Sequence, residues 1–259
     1  MPSNHPSNSP TQQIPIAEPL VEVRRGALTE SRHRGHIAAT DDGGNLLAYA
    51  GNPITVTYFR SSAKPFQALP VIVSGAADHF GFSEQEIALA CASHSGERIH
   101  TEIVKGMLKK IDLGLDALKC GVHEPFSASA AAELRAKGDK PNVLHNNCSG
   151  KHAAMLALAL HLGAPVEAYN APSSPVQLEI ARMVSRFSGV PQEDLAVGID
   201  GCGVPVFGVT LKAMALAYAR LVAPPLGIED PIRLACARIV KVMTTYPELI
   251  GGTSERLDT

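Results

Sequence analysis

Near residue 60 the hydrophobic pattern changes its period, and the change divides the chain into a strand-rich part and a helical part. Leu20-Val21-Glu22-Val23, His36-Ile37-Ala38-Ala39 and Leu46-Leu47-Ala48-Tyr49 are short strand-like runs. Turn clusters punctuate them at Asp41-Asp42-Gly43-Gly44-Asn45 and Gly51-Asn52-Pro53. The alternating Ile54, Val56 and Tyr58 then lead into residue 60, so a meander of antiparallel strands is expected over Leu20 to Phe59.

Beyond that point helical spacing dominates. Ser83 with Glu86 forms a capping box ahead of Ile87 to Cys91. Ile103, Val104, Met107, Leu108 and Ile111 recur at helical intervals. Ser149 to Leu162 is a strongly apolar run that stops at Gly163. Ser174-Pro175, with Gln177 as a capping glutamine, opens a helix to Ser188. Leu195 to Ile199 reads as a late strand, and Thr210 to Leu221 and Pro231 to Thr244 as closing helices. The expected class is α/β (α+β), an antiparallel sheet flanked by helices in one unit over residues 20–259. Residues 1–19, rich in Pro, Ser and Asn, are expected to form a disordered leader.

Composition excludes several classes of partner. A net charge of −2 gives no electrostatic case for nucleic acid or an anionic membrane. No apolar stretch approaches the roughly 20 residues that span a bilayer. Five irregularly spaced cysteines argue against a disulfide framework and for a reducing, cytoplasmic home. Cys91 and Cys236 lie in apolar helical patterns and read as small buried hydrophobes.

The chemistry-bearing residues cluster at the change of period and at three later points. Ser61 and Lys64 form a Ser-x-x-Lys, which puts an amine on the same helical face as a hydroxyl. A serine needs such a base, and serine β-lactamases and penicillin-binding proteins use this pairing. Ser61 is expected to cap the helix that follows. Cys91 to Glu97 leaves a helix for a polar loop, in which Ser93 or Ser95 is a candidate second hydroxyl; local side-chain-to-backbone bonding explains the same loop. His145 to His152 packs amides, a thiol, a hydroxyl, an amine and imidazoles ahead of the apolar helix. Gly150-Lys151 lacks the upstream glycine and following Ser/Thr of a phosphate loop. With a helix start near Asn147, Cys148, Lys151 and His152 share its first-turn face, where the positive helix end favours a thiolate. Asp200 and Cys202 sit on the glycine-rich turn Gly198 to Pro205, which suits either close approach of a ligand or an ordinary tight turn.

Read together, Arg60 to Pro65, Asn146 to His152 and Gly198 to Pro205 resemble the signature blocks of the rhizobial-type L-asparaginases. This asparaginase II family is related in fold to serine β-lactamases and penicillin-binding proteins. Leu20 to Val23, Arg32 to His36 and Ala90 to Glu97 resemble it too, so the likeness runs from about Leu20 to the last residue. The resemblance implies hydrolysis of L-asparagine to L-aspartate and ammonia by an intracellular homodimer. It implies Ser61 as nucleophile, Lys64 as its base and Ser93 as second catalytic serine. It implies a zinc ion on Cys148, Lys151 and Cys202, with Arg60, Asp200 and His152 around substrate and metal. Lysine is an uncommon metal ligand, since its proton must be displaced; chemistry by itself favours His152.

The family usually continues beyond the Gly251 to Thr259 block into a glycine-rich segment bearing another lysine. The expectation is therefore a C-terminally truncated chain that lacks its last strands and leaves an open sheet edge. Three other functions fit the same residues: a different Ser-Lys amidase or β-lactam hydrolase, a cysteine hydrolase built on Cys148 and His152, and a catalytically inactive zinc-binding homologue. For the Ser-Lys pair to act, Lys64 must lose its proton near neutrality. Bringing a lysine to a tuned value of about 7–8 costs roughly 4 kcal/mol. Burial, Arg60 and the helix end are the expected sources.

Overall fold

Turn chemistry and alternation produce two hairpins at the start of the described chain. The computed structural model describes residues 16–253. Residues 1–15 of the expected leader lie outside it, and strand β1 (Glu18–Arg25) already opens within that leader's last residues. β1 pairs antiparallel with β2 (Leu28–Gly35), and β3 (Ile37–Thr40) pairs antiparallel with β4 (Leu46–Ala50). β5 (Val56–Tyr58) does not continue this series. It pairs with β7 (Pro205–Thr210), which also holds β6 (Ala196–Ile199), so the third sheet has the order β5-β7-β6. Its register sets Tyr58 opposite Gly208, and Gly208 opposite Ala196.

The single meander is thus corrected to three small antiparallel sheets. Two strands were illegible. β2 reads Leu-Thr-Glu-Ser-Arg-His-Arg-Gly, with almost no apolar alternation to reveal it. β7 is buried nearly throughout, follows a turn, and merges into the next helix without punctuation.

The helices are α1 (Lys64–Val73), α2 (Ala76–His79), α3 (Glu84–Ala90), α4 (Arg98–Lys110), α5 (Ala128–Lys137), α6 (Ser149–His161), α7 (Pro175–Ser188), α8 (Leu211–Val222), α9 (Asp230–Thr245) and α10 (Pro247–Ile250). Their ends follow the expected chemistry. Ser83 and Glu86 complete the capping box, and Ser174 accepts from Gln177 N. The Gln177 side chain turns inward to donate to the Tyr169 carbonyl rather than capping.

After its polar first turn α6 is apolar on all sides from Ala153 to Leu160, and a helix of that kind belongs in the interior. Ser149 through Ala159 are all buried, between α1, α3, α4 and α7. Gly150 permits this: a Cβ there would meet the Leu89 carbonyl oxygen at 2.6 Å, so α3 and α6 touch backbone to backbone. α1 is pinned through Phe66, whose ring lies 5.2–5.7 Å from Phe59, Phe187 and Tyr218. The helical body thereby fixes both elements that carry the candidate chemistry.

Candidate active site

The sheet delivers Ser61 to the helical body through a sharp turn. Phe59 N donates to Phe207 O at 2.9 Å, the last rung of β5 on β7. Arg60 then takes a left-handed backbone (φ +51°), unusual for a residue with a Cβ. Residues Arg60–Ala63 form a 3-10 turn, and α1 begins only at Lys64. Ser61 is therefore not the helix cap; Ala63 holds that position without a side-chain bond. The effect is a division by depth. Ser61 is exposed, while Lys64 is 1% exposed.

Burial brings the Lys64 amine down to about 8, opposed by Cys148 and reinforced by Lys151. Arg60, expected to contribute, turns outward to Asp200, with Nη2 to Oδ1 at 2.9 Å. Ser61 Oγ lies 3.2 Å from Ser93 Oγ, in the loop after α3. Ser93 Oγ accepts from Asn147 Nδ2 at 2.8 Å, and Lys64 Nζ donates to the Asn147 carbonyl at 3.3 Å. Ser93 and Lys64 thus meet at one asparagine and Ser61 joins them through Ser93, which brings together three separate parts of the chain, 61–64, 93 and 147.

The second constellation joins the start of α6 to the β6–β7 turn. Cys148 occupies the N-cap of α6, so Lys151 and His152 follow it within the first turn. The Asp200 to Val204 turn is closed by Gly203 N to Asp200 O at 2.9 Å and presents Cys202 inward. Lys151 Nζ donates to Cys202 Sγ at 3.1 Å. The neighbouring Cys202, with Lys151 and Lys64, pulls the Cys148 thiol down despite its burial. Cys148 and burial push Cys202 up. Two sulfurs and two amines thereby share one buried cluster.

His152 does not join that cluster. Tyr169 Oη accepts from Lys119 N at 2.9 Å and shares a hydrogen bond with His152 Nδ1 at 2.6 Å. His152 Nε2 is buried with no partner among the described residues. The Cys148–His152 hydrogen bond that a cysteine hydrolase needs is not formed. Among the described residues no group of three or more His, Cys, Asp or Glu is arranged to hold a metal ion. A metal site here would need its third donor from Lys151, and two sulfurs with an amine would suit a borderline-soft divalent ion once the amine is deprotonated.

Sequence reasoning singled out the 145–152 block without assigning a role to Asn147. It also passed over His123, whose Nε2 accepts from Asn147 N at 3.0 Å. It gave no signal for a brace behind the Ser93 loop. His94 Nε2 bonds Ser149 Oγ at 3.0 Å, and Glu97 accepts from Ser95 Oγ, Thr253 N and Thr253 Oγ1. Gly252 (φ +139°) lets the late chain lie against this loop, since a Cβ there would come within 2.4 Å of Ser95 Oγ.

Fold and site together define a mixed α and β protein with a buried amine and two neighbouring hydroxyls at a sheet-to-helix junction. The family model for L-asparaginase II matches residues 21–259, and the chain belongs to that family. No curated protein is found to match it. No described helix is long and apolar enough to cross a membrane.

Proposed function

We propose that this protein hydrolyses L-asparagine to L-aspartate and ammonia, with Ser61 as nucleophile, Lys64 as base and Ser93 as second catalytic hydroxyl. The observation that carries the reading is a buried, pKa-depressed amine three residues after an exposed serine, in a chain of the L-asparaginase II family. Lys64 takes the Ser61 proton as Oγ attacks the side-chain amide carbon. The C–N bond then breaks, the leaving nitrogen takes a proton and departs as ammonia, and an ester to Ser61 remains. Water hydrolyses that ester, releasing aspartate and restoring the hydroxyl. The Arg60–Asp200 pair at the rim offers a cation and an anion to the two charged ends of a free amino acid.

Cys148, Lys151 and Cys202 would hold a zinc ion, with His152 and Asp200 outside them; bound there, the ion would supply Lewis acidity and a stable anchor for the β6–β7 turn. The serine β-lactamase-like fold belongs to the same proposal, supported by the antiparallel β5-β7-β6 sheet that feeds the Ser-Lys helix. So do the homodimer and the cytoplasmic home; all five cysteines are free and buried, which supports the latter. Ser61→Ala is the test: ammonia release from L-asparagine is expected to vanish with the circular dichroism spectrum unchanged. Turnover near that of the unaltered protein would remove Ser61 from the role.

A further inference from the structure

We propose that Tyr218 is a positioning residue that fastens the Ser61 turn to helix α8 through the backbone carbonyl of Ser62. The inference rests on the Ser61–Lys64 reading above. Tyr218 Oη donates to Ser62 O at 2.7 Å, across 156 residues of chain. A carbonyl only accepts and a phenol keeps its proton at neutral pH, so the bond has one sense.

The sequence explains why this carbonyl needs a donor from elsewhere. The 3-10 turn Arg60–Ala63 is closed by Ser62 N to Phe59 O at 3.1 Å and by the Lys64 N–H to Ser61 O. The next bond of that series would run from residue 65 to Ser62 O, and residue 65 is proline, which has no N–H. Helix α1 begins at Lys64 with Ala63 as its N-cap, so its first bond goes to the Ala63 carbonyl. Ser62 O falls between the two ladders. The Tyr218 hydroxyl supplies what neither gives.

The placement matters because the turn is strained and carries the nucleophile. Arg60 is left-handed at φ +51°, and Ser61 is exposed. Ahead of Ser61 the chain is held by Phe59 N on Phe207 O of β7. Behind it the hold is Tyr218, whose ring also meets Phe66 edge-on at 5.2 Å. β7 runs directly into α8, so one segment, residues 205–222, grips the turn on both sides of Ser61.

Tyr218→Phe tests this, since it keeps the ring against Phe66 and removes only the hydroxyl. Ser62 is exposed, so water can satisfy the carbonyl, but water is not anchored to α8. Two rates are read in the full chain: steady-state ammonia release, and labelling of Ser61 by a fluorophosphonate, mapped by mass spectrometry. Both kcat and the labelling rate are expected to fall about 10-fold, with KM within about threefold and an unchanged melting temperature. Pro65→Ala restores an N–H that continues the 3-10 turn to Ser62 O and fastens it to α1 instead. In that background, adding Tyr218→Phe is expected to cost less than about threefold. Rates within about twofold of the unaltered protein in Tyr218→Phe, or a cost of about 10-fold that persists beside Pro65→Ala, would overturn the assignment while leaving Ser61 as nucleophile. An unaltered protein that is neither labelled at Ser61 nor releases ammonia would overturn the parent reading, and this inference with it.

Discussion

The β1–β2 ribbon and helix α6 place their residues in opposite senses. On the ribbon, Leu20, Val21, Val23 and Leu28 are exposed, Leu28 at 77%. On α6, Lys151 and His152 are buried beside Leu156, which is 0% exposed. Apolar groups in water are common on protein surfaces and need no special cause. Buried amines and imidazoles are not common, because each must be desolvated. The difference teaches where to look for chemistry: the strain lies in the helical body, where Lys64, Lys151, Cys148 and Cys202 are forced together, and not in the ribbon's side chains. The ribbon's ion pairs, Arg24–Glu22, Arg25–Glu30 and Arg32–Glu22, are solvent-exposed and contribute little.

The largest effect should come from removing the strained amine. Lys64→Met keeps the length of the side chain and deletes its nitrogen. Ammonia release should fall by about 100- to 10,000-fold, the usual worth of a positioned base. The melting temperature should hold or rise, since a buried amine is replaced by a buried thioether. A large loss of stability would mean that the Asn147 carbonyl and Cys148 more than offset the desolvation of Lys64. The body would then not be the strained region that the comparison describes.

Next comes the apolar packing that makes the strain possible. Leu156→Ala should destabilise the fold by about 3 kcal/mol, read as a shift in the urea midpoint at constant slope. A cost below about 1 kcal/mol would show that α6 repacks easily and cannot hold its polar face rigidly.

Acid should act on the body before the ribbon. His94 and His100 stack at 4.9 Å, and each uses Nδ1 as an acceptor, from Gly96 N and Glu97 N. Burial holds both below their ordinary value of 6.5, so the unfolded chain takes up protons first. Stability should therefore be intact above that value and decline as pH falls through it. Urea titrations between pH 7.5 and 5.5 measure this, and His94→Gln should flatten the decline. A flat profile in the unaltered protein would mean that the pair accepts protons without opening.

Much of this was legible in the sequence. Capping residues gave α3 and α7, and the apolar run gave α6 almost to the residue, because local chemistry decides those features. The Ser61, Ser93, Asn147 and Cys202 segments were each marked by unusual polar composition. Their meeting was not readable, because it depends on β5 pairing with β7 across about 150 residues and on α3 touching α6 at Gly150. The left-handed Arg60 was equally hidden: nothing in Phe-Arg-Ser announces a positive φ, which the sheet and helix impose from either side. Asn147 was seen as a helix start, and only tertiary contact gives it Ser93 and Lys64 as partners.

The smallest effect tests the ribbon itself. A two-stranded ribbon is marginal in water when nothing covers its faces. Leu28, 77% exposed at the hairpin end, has little burial to lose. Leu28→Thr keeps strand propensity and should change the urea midpoint by less than about 0.5 kcal/mol equivalent. It should leave ammonia release unchanged, since no bond joins Leu28 to the Ser61 turn. A loss above about 1 kcal/mol, most of all one that grows on dilution, would mean that this surface is covered in solution. The exposed apolar side chains of β1 and β2 would then be one half of a contact, and the contrast with α6 would become one between two interiors.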